Sequence, residues 1–383
     1  MRFFYLCYEN LQEHRGGTRH VTEVVRQLAL LGHEVELFVP APPPAGVFDR
    51  GVRIHVVPVP PIRIAAWVVF YVFSALAMGM SGLRRRPDVL YVREMAYNLC
   101  PFAAARLLGC PLIVEVNGSL MDEMRLFGAG AVEIGLTRVT QWLTFQEADR
   151  IVAVAEGLGE QMAALYDVPR EKIAVIPNGT DPDRMRPADL AESQRAIGLT
   201  PGPVVGFVGS CYPYHDIDML IRAAPAILNA CPDTRFVVAG DGYMRSAWMA
   251  RAREEGLGRH FLFPGRIPYD RVPTYIAAFT VCIALFTHQS KGSPMKLYDY
   301  MACGRPAVAT DQKGTGDVVR AHRAGLTVAP GDVQALAGAV VRLLNDPSLC
   351  AEMGRNGRQA AERYFTWRRA AADIVRVVDG IKT

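Results

Sequence analysis

A chain of 383 residues exceeds what one ordinary hydrophobic core organises, so two domains of roughly 180 residues each are expected. Half of the residues are hydrophobic and 21% are charged, which excludes a disordered chain. The net charge of +4, without a basic stripe interleaved with aromatics, argues against a nucleic-acid binder.

The N-terminal MRFFYLCYEN has too short an apolar stretch for a secretion signal and reads as a first strand. Eight cysteines occur without a C-x-x-C pair, several inside apolar runs. They are expected to be reduced thiols of a cytoplasmic protein, neither zinc ligands nor a disulfide frame. Strands are predicted over 2–8, 34–40, 53–59, 88–93, 111–117, 150–155 and 173–178. Between the first two, a helix is predicted over 18–31, with Val21, Val24, Val25 and Leu28 on one face and Gly32 as its stop.

Residues 64–83 form a run of twenty without a charge, closed by Arg84-Arg85-Arg86. The length meets the criterion for a membrane span. Strand-like runs of one apparent sheet flank it on both sides, and a span would part them. A helix of the fold that touches the membrane surface through 64–86 is expected instead, at the cytoplasmic face, with simple burial as the other reading.

A turn-rich passage from Pro177-Asn178-Gly179 to Pro201-Gly202-Pro203 separates two series of elements. Beyond it, strands are predicted near 203–209, 235–240, 260–263, 281–286, 306–310 and 326–329. Helices are expected at about 217–229, 243–255, 270–278, 294–303 and 332–345, and the tail is helical in pattern. Strand–helix alternation in two series implies an α/β chain of two doubly wound, Rossmann-like domains, with ligands at the carboxyl ends of the strands facing a central cleft.

Four segments could carry chemistry. Gly16-Gly17 precede the first helix, where paired glycines admit a phosphate; a simple tight turn is the alternative. The matching loop of the second series, 209–216, brings Ser210 and His215 to a helix start. His215 there either binds phosphate or packs locally. Asp216 and Asp218 resemble a metal pair, but at helical spacing they diverge and read as ordinary capping. Asn117-Gly118, with Glu115 before and Asp122 and Glu123 after, leaves a buried strand, and Arg93-Glu94 end the preceding one. Those polar residues suit hydroxyl recognition, or in the case of Asn117-Gly118 a local turn. The fourth segment, KGSPMKLYDYMACG at 291–304, is a punctuated helix: Ser293 as N-cap, Pro294 in the first turn, Gly304 as the stop. Lys296 opposes the helix dipole, and Asp299 lies on its face. The pair reads as a phosphate seat or as a plain surface ion pair.

In order and spacing these pieces resemble a retaining glycosyltransferase of the GT-B fold, family 4. The resemblance rests on Gly16-Gly17 with LALLGHEVELF, 148–154, Val175-Ile176-Pro177-Asn178-Gly179-Thr180-Asp181, Val237-Val238-Ala239-Gly240-Asp241-Gly242, Phe263-Pro264-Gly265-Arg266-Ile267 and 293–304. It implies an acceptor-binding domain of 1–180 completed by a crossing helix in 365–383, and a donor-binding domain of 181–364. It further implies metal-free transfer from a UDP-, GDP- or other nucleotide-diphosphate sugar, without a cofactor. The apolar run at 64–83, rather than the resemblance, hints at the acceptor: a glycan or a lipid-linked group of envelope or exopolysaccharide synthesis at the cytoplasmic face.

Carried over position by position, Asp299 takes the place of the ribose-gripping glutamate and joins Lys296 and Asn117 as catalytic. Gly16, Gly17, Ser210, His215, Ile267, Lys291, Gly292, Ser293, Met295 and Leu297 fall at donor-binding positions, and Arg93, Glu94 and Asn117 at acceptor-binding ones. Lys291 replaces the usual glutamate, Ser210 and His215 the usual arginine and lysine, and Asn117 the usual histidine. Two other readings stand beside this one: a nucleotide-sugar 2-epimerase, and a degenerate homologue that only binds sugar nucleotide or scaffolds a membrane complex.

Overall fold

Strand and helix alternate along most of the computed structural model, which describes residues 1–13, 16–48, 51–97, 100–126, 128–287 and 293–382, with backbone alone at 63, 64, 126 and 382. The chain divides into two units. Unit 1 contains Met1–Asn178 and Trp367–Thr383; unit 2 contains Gly179–Ser290 and Pro294–Thr366.

Unit 1 is built on β1 (Arg2–Leu6), β2 (Glu34–Val39), β3 (Val52–Val56), β4 (Val89–Arg93), β5 (Leu112–Val116), β6 (Arg150–Ala153) and β7 (Ile173–Val175). They lie in the order β3-β2-β1-β4-β5-β6-β7, every pair parallel. Unit 2 has β8 (Val204–Val208), β9 (Arg235–Ala239), β10 (Phe261–Gly265), β11 (Val281–Ala284), β12 (Ala307–Thr310) and β13 (Gly325–Val328), in the order β10-β9-β8-β11-β12-β13. Alternation within strands sorts the unit 2 core onto the two faces of its sheet. Phe207, Phe236, Val238 and Ile283 face one side, and Val237, Ala239, Cys282 and Ala284 the other. This is the predicted class, two Rossmann-like parallel sheets.

Several boundaries moved for physical reasons. The helix expected from Ser293 begins at Met295; Pro294 holds the N-cap position, with no side-chain cap. Gly304, at φ +67°, stops it as expected. β10 extends to Gly265, and its register on β9 shifts between Leu262 and Gly265, across Pro264, which has no N–H to donate. The tail helix starts at Trp367, two residues later than the expected Phe365, whose ring stacks on Tyr298 at 4.5 Å. Asp216 does cap its helix, accepting from the Met219 N–H at 3.0 Å. All eight cysteines are free thiols.

The sequence reading passed over the helix Pro347–Tyr364. Its buried residues are Gly354, Gly357, Ala360 and Ala361, a stripe of small side chains that carries almost no apolar signal. The stripe is there because backbone must come close: a Cβ on Gly354 would overlap the Gly304 carbonyl oxygen, and one on Gly357 would lie 3.3 Å from Met301 Cα. Arg358 then reaches past, its Nη1 donating to the carbonyls of Ala302 and Met185 at 2.7 Å each. A cation thereby closes the C-terminal end of the helix Met295–Ala302.

The apolar run is the helix Arg63–Arg84. Phe70, Tyr71, Ser74, Met78 and Ser81 are buried against unit 1, while Val68, Val72, Leu76 and Met80, at four-residue spacing, stay exposed. By length and composition 65–84 could cross a membrane, with 39% of the window buried in the fold.

The close approach at Gly354 makes a prediction with a definite sign. Helix propensity alone favours Gly354→Ala by about 1 kcal/mol. The overlap with Gly304 should reverse this to a net loss of about 2 kcal/mol in denaturant unfolding. A neutral or stabilising effect would mean that the two helices do not meet there.

Candidate active site

In each sheet the strand order reverses once, between β1 and β4 in unit 1 and between β8 and β11 in unit 2. Neighbouring strands whose connections leave in opposite directions keep their carboxyl ends uncovered, and ligands bind in that crevice.

In unit 1 the crevice is a pocket of about 270 Å³. Tyr8 and Glu9 enter from the loop after β1, Arg93 and Glu94 from β4, and Asn117, Gly118 and Glu123 from the chain after β5; Trp67 and Tyr97 complete it. The predicted acceptor residues Arg93, Glu94 and Asn117 therefore share one cavity. Arg93 Nε lies 3.3 Å from Glu9 Oε1, while Arg93 Nη1 and Asn117 Nδ2 are buried atoms without a hydrogen-bond partner among the described residues. Glu94 accepts from Gln141 Nε2, and burial together with the neighbouring Glu123 pushes its carboxyl up to about 8.

Gly17 serves this pocket directly. A Cβ there would stand 2.7 Å from Glu9 Oε1 and 2.9 Å from Arg93 Nη2, so the missing side chain makes room for their pair. Gly16 opens the helix Gly16–Leu30.

Glu115 points away from the rim, into the protein. It receives the hydroxyls of Tyr91 at 2.7 Å and Tyr5 at 3.1 Å, and its Oε2 lies 2.9 Å from His20 Nε2. His20 Nδ1 is 2.6 Å from Asn178 Oδ1. Burial works against the charge of Glu115, yet His20 and these hydrogen bonds hold its carboxyl down to about 2. The network ties the first helix to β5. Its sequence signal is one charge in the otherwise apolar LIVEV.

In unit 2, Lys296 and Asp299 do not pair with each other. Lys296 Nζ lies 2.7 Å from His215 Nε2, and it sits over the rings of Phe207 at 4.2 Å and Phe286 at 5.3 Å. His215 is buried, so of its two readings the structure gives a partner within the site. Burial pushes the Lys296 ammonium well below its ordinary range; burial, then Lys296, lowers the His215 imidazolium likewise. Gly209, at φ +155°, closes against this pair: a Cβ would stand 2.9 Å from Lys296 Nζ. Asp299 is buried and accepts from Thr180 Oγ1 at 2.7 Å.

Of the other predicted donor residues, Ser210, Ser293 and Met295 are half-buried. Leu297 is wholly enclosed in the core, which leaves only its backbone to meet a ligand, and Ile267 packs at the edge of the same core. Lys291 and Gly292 lie outside the described residues. Sequence reasoning missed Glu9, Tyr8 and Trp67, which lie on a loop and on the helix Arg63–Arg84 without motif spacing, and gave Thr180, part of a resembling segment, no role at the site.

Two Rossmann-like units of this make are those of GT-B glycosyltransferases. Residues 14–184 match the family described as Glycosyltransferase Family 4, and residues 202–346 match Glycosyl transferases group 1. The chain belongs to these glycosyltransferases. It is 30% identical to the 2-deoxystreptamine glucosyltransferase of Streptomyces kanamyceticus over 261 residues, 67% of either chain. With the D-inositol 3-phosphate glycosyltransferase of Acidothermus cellulolyticus it shares 29% over 383 residues, 94% of this chain and 84% of the other. Among solved structures it resembles Anabaena HepE, determined with UDP and glucose, at a TM-score of 0.76 and 16% identity, covering 98% and 99% of the two chains. At that identity the likeness concerns the fold.

The Glu115 network predicts an acid-labile contribution to unit 1. A carboxyl held near 2 in the folded state and near 4.5 when unfolded adds stability that is complete above about pH 4.5 and is lost as pH falls toward 2. The stability gap between the protein and Glu115→Gln should shrink by about 2 kcal/mol from pH 5.5 to pH 3. A gap independent of pH would remove the charged network.

Proposed function

We propose that the protein is a retaining glycosyltransferase which moves a sugar from a nucleotide-diphosphate donor held by unit 2 to an acceptor hydroxyl held in the unit 1 pocket. The observation that carries this reading is Lys296 Nζ against His215 Nε2 at the strand-order reversal, two basic groups between aromatic rings with no carboxylate paired to Lys296 among the described residues. Such an arrangement awaits an anion. A diphosphate supplies one, and its charge grows as the sugar–phosphate bond breaks, so preorganised donors favour the transition state over the ground state. In this reading Lys296 and His215 meet the leaving diphosphate without help from a metal. Asp299, steadied by Thr180, meets the ribose. Arg93, Glu94 and Asn117 orient the acceptor. The relatives named for glycosyl transfer support the class of reaction, and HepE's UDP supports a nucleotide donor.

The acceptor is proposed to be a glycan or lipid-linked group, reached from the membrane surface. Support comes from Val68, Val72, Leu76 and Met80 exposed along one side of the helix Arg63–Arg84, followed by the exposed Arg84, Arg85 and Arg86.

Incubation with a panel of UDP- and GDP-sugars should release free nucleoside diphosphate slowly, and Asp299→Ala should abolish that release. Lys296→Ala should raise the donor Kd at least tenfold, about 1.4 kcal/mol, by calorimetry. Unchanged donor affinity would refute the assignment. Co-sedimentation tests the membrane contact: the protein should pellet with anionic vesicles at low salt and be released by Val72→Glu/Leu76→Glu. Protein left in the supernatant at low salt is not a membrane-surface enzyme.

A further inference from the structure

Among the described residues, the charges lining the unit 1 pocket are Glu9, Glu94, Glu123 and Arg93. Arg93 Nε meets Glu9, for which Gly17 leaves room, and its charge also acts on Glu94 and Glu123, so three carboxylates share one guanidinium. Two carboxylates are left facing the cavity. Glu94 comes from the end of β4. Glu123 Oε1 comes within 3.1 Å of where a Gly118 side chain would begin, so that glycine admits the carboxylate to the pocket. Aromatic rings also line the pocket: Tyr8 stacks on Trp67 with ring centroids 3.9 Å apart, and Tyr97 meets Trp67 edge-on at 6.3 Å. Among the described residues, the uncommitted donors in the pocket are single buried atoms, Arg93 Nη1 and Asn117 Nδ2, which could take hydroxyl oxygens.

We propose that this pocket takes a polyhydroxy acceptor carrying a protonated amine, and turns away phosphorylated acceptors. The inference rests on reading the pocket as the acceptor site. An ammonium group between Glu94 and Glu123, against the aromatic faces, replaces repulsion between carboxylates with attraction and adds a cation–π contact. A phosphate in the same position would stand against Glu123 and keep Glu94 from ionising, a mismatch that discriminates by repulsion. Hydroxyls of the ring are left for Asn117 and Arg93. Burial and Glu123 already push the Glu94 carboxyl up, which is the strain that a bound cation relieves.

Calorimetry on the full chain with glucosamine, glucose and glucose 6-phosphate tests this with one ring and three charges. Glucosamine should bind about tenfold more tightly than glucose, and glucose 6-phosphate about tenfold more weakly. In Glu94→Gln/Glu123→Gln the two preferences should collapse, so that the three ligands bind within about threefold of one another. UDP binding, read on unit 2, serves as the folding control. A phosphate sugar that binds as well as the amino sugar overturns the proposal, as does a preference that survives in the double variant, or no binding of any probe at millimolar concentration. These failures leave the transferase reading intact so long as UDP binds and Lys296→Ala weakens it; loss of that donor result is a failure of the reading itself.

Discussion

A reversal of strand order fixes where chemistry is possible in each unit. β1 and β4 are hydrogen-bonded neighbours, as are β8 and β11, yet their outgoing connections part in opposite directions. The carboxyl ends between them stay uncovered. The residues that follow those strands therefore gather without being close in sequence: Tyr8 and Glu9 with Arg93 and Glu94 in unit 1, Gly209 and His215 with Phe286 in unit 2. Glycine appears where the gathering is tightest. At Gly17 the backbone yields space to an ion pair, and at Gly209 to the lysine ammonium.

The helix Met295–Ala302 is short for the role it has. Eight residues give little intrinsic stability, and Lys296 in its first turn opposes the dipole. Tertiary contacts supply what propensity does not. Leu297, Tyr298, Tyr300 and Met301 are buried, the Tyr300 hydroxyl takes the Val208 N–H at 3.0 Å, and Arg358 closes the far end. The small-residue face of the helix Pro347–Tyr364 lets that closure happen at van der Waals distance. Lys296 is thus held in an unfavourable position by a scaffold with no slack. A helix rebuilt for stability alone would place an acid at that position.

Most of the fold was legible because both sheets are parallel and covered on both faces, so strands such as RFFYL and VCIA are nearly uninterrupted apolar runs. Helices with large apolar side chains on one face were legible for the same reason. The helix Pro347–Tyr364 was not, because its buried face is made of glycine and alanine. At the site, the punctuation around 293–304 marked Lys296, but its partner was ambiguous. Asp299 lies one turn away in sequence and His215 lies 81 residues away, and spacing favours the near carboxylate. Only the topology of unit 2 brings the distant histidine in. Glu9 and Trp67 were illegible for a related reason: a loop residue and one aromatic on a helix read as nearly uniformly apolar acquire meaning only when β1 and β4 become neighbours.

Buried charges in this protein fall into two kinds, and the difference separates scaffold from site. Glu36 and Glu115 are both enclosed in unit 1. Glu36 is bonded by Ser81 at 2.6 Å, by Arg2 and by His55 at 2.8 Å, and these partners hold its carboxyl below the ordinary range although burial opposes them. Glu115 is likewise surrounded by Tyr91, Tyr5 and His20. Both are complete as they stand, and a further ligand would have nothing to add. Lys296 and Glu94 are displaced in the contrary sense, each toward its neutral form, Lys296 by burial and Glu94 by burial together with Glu123. A folded chain has no structural reason to keep a lysine against a histidine, or one glutamate near another, in poorly hydrated positions. On the proposed reading a counter-charge arrives with the substrate, an anion at Lys296 and a cation at Glu94.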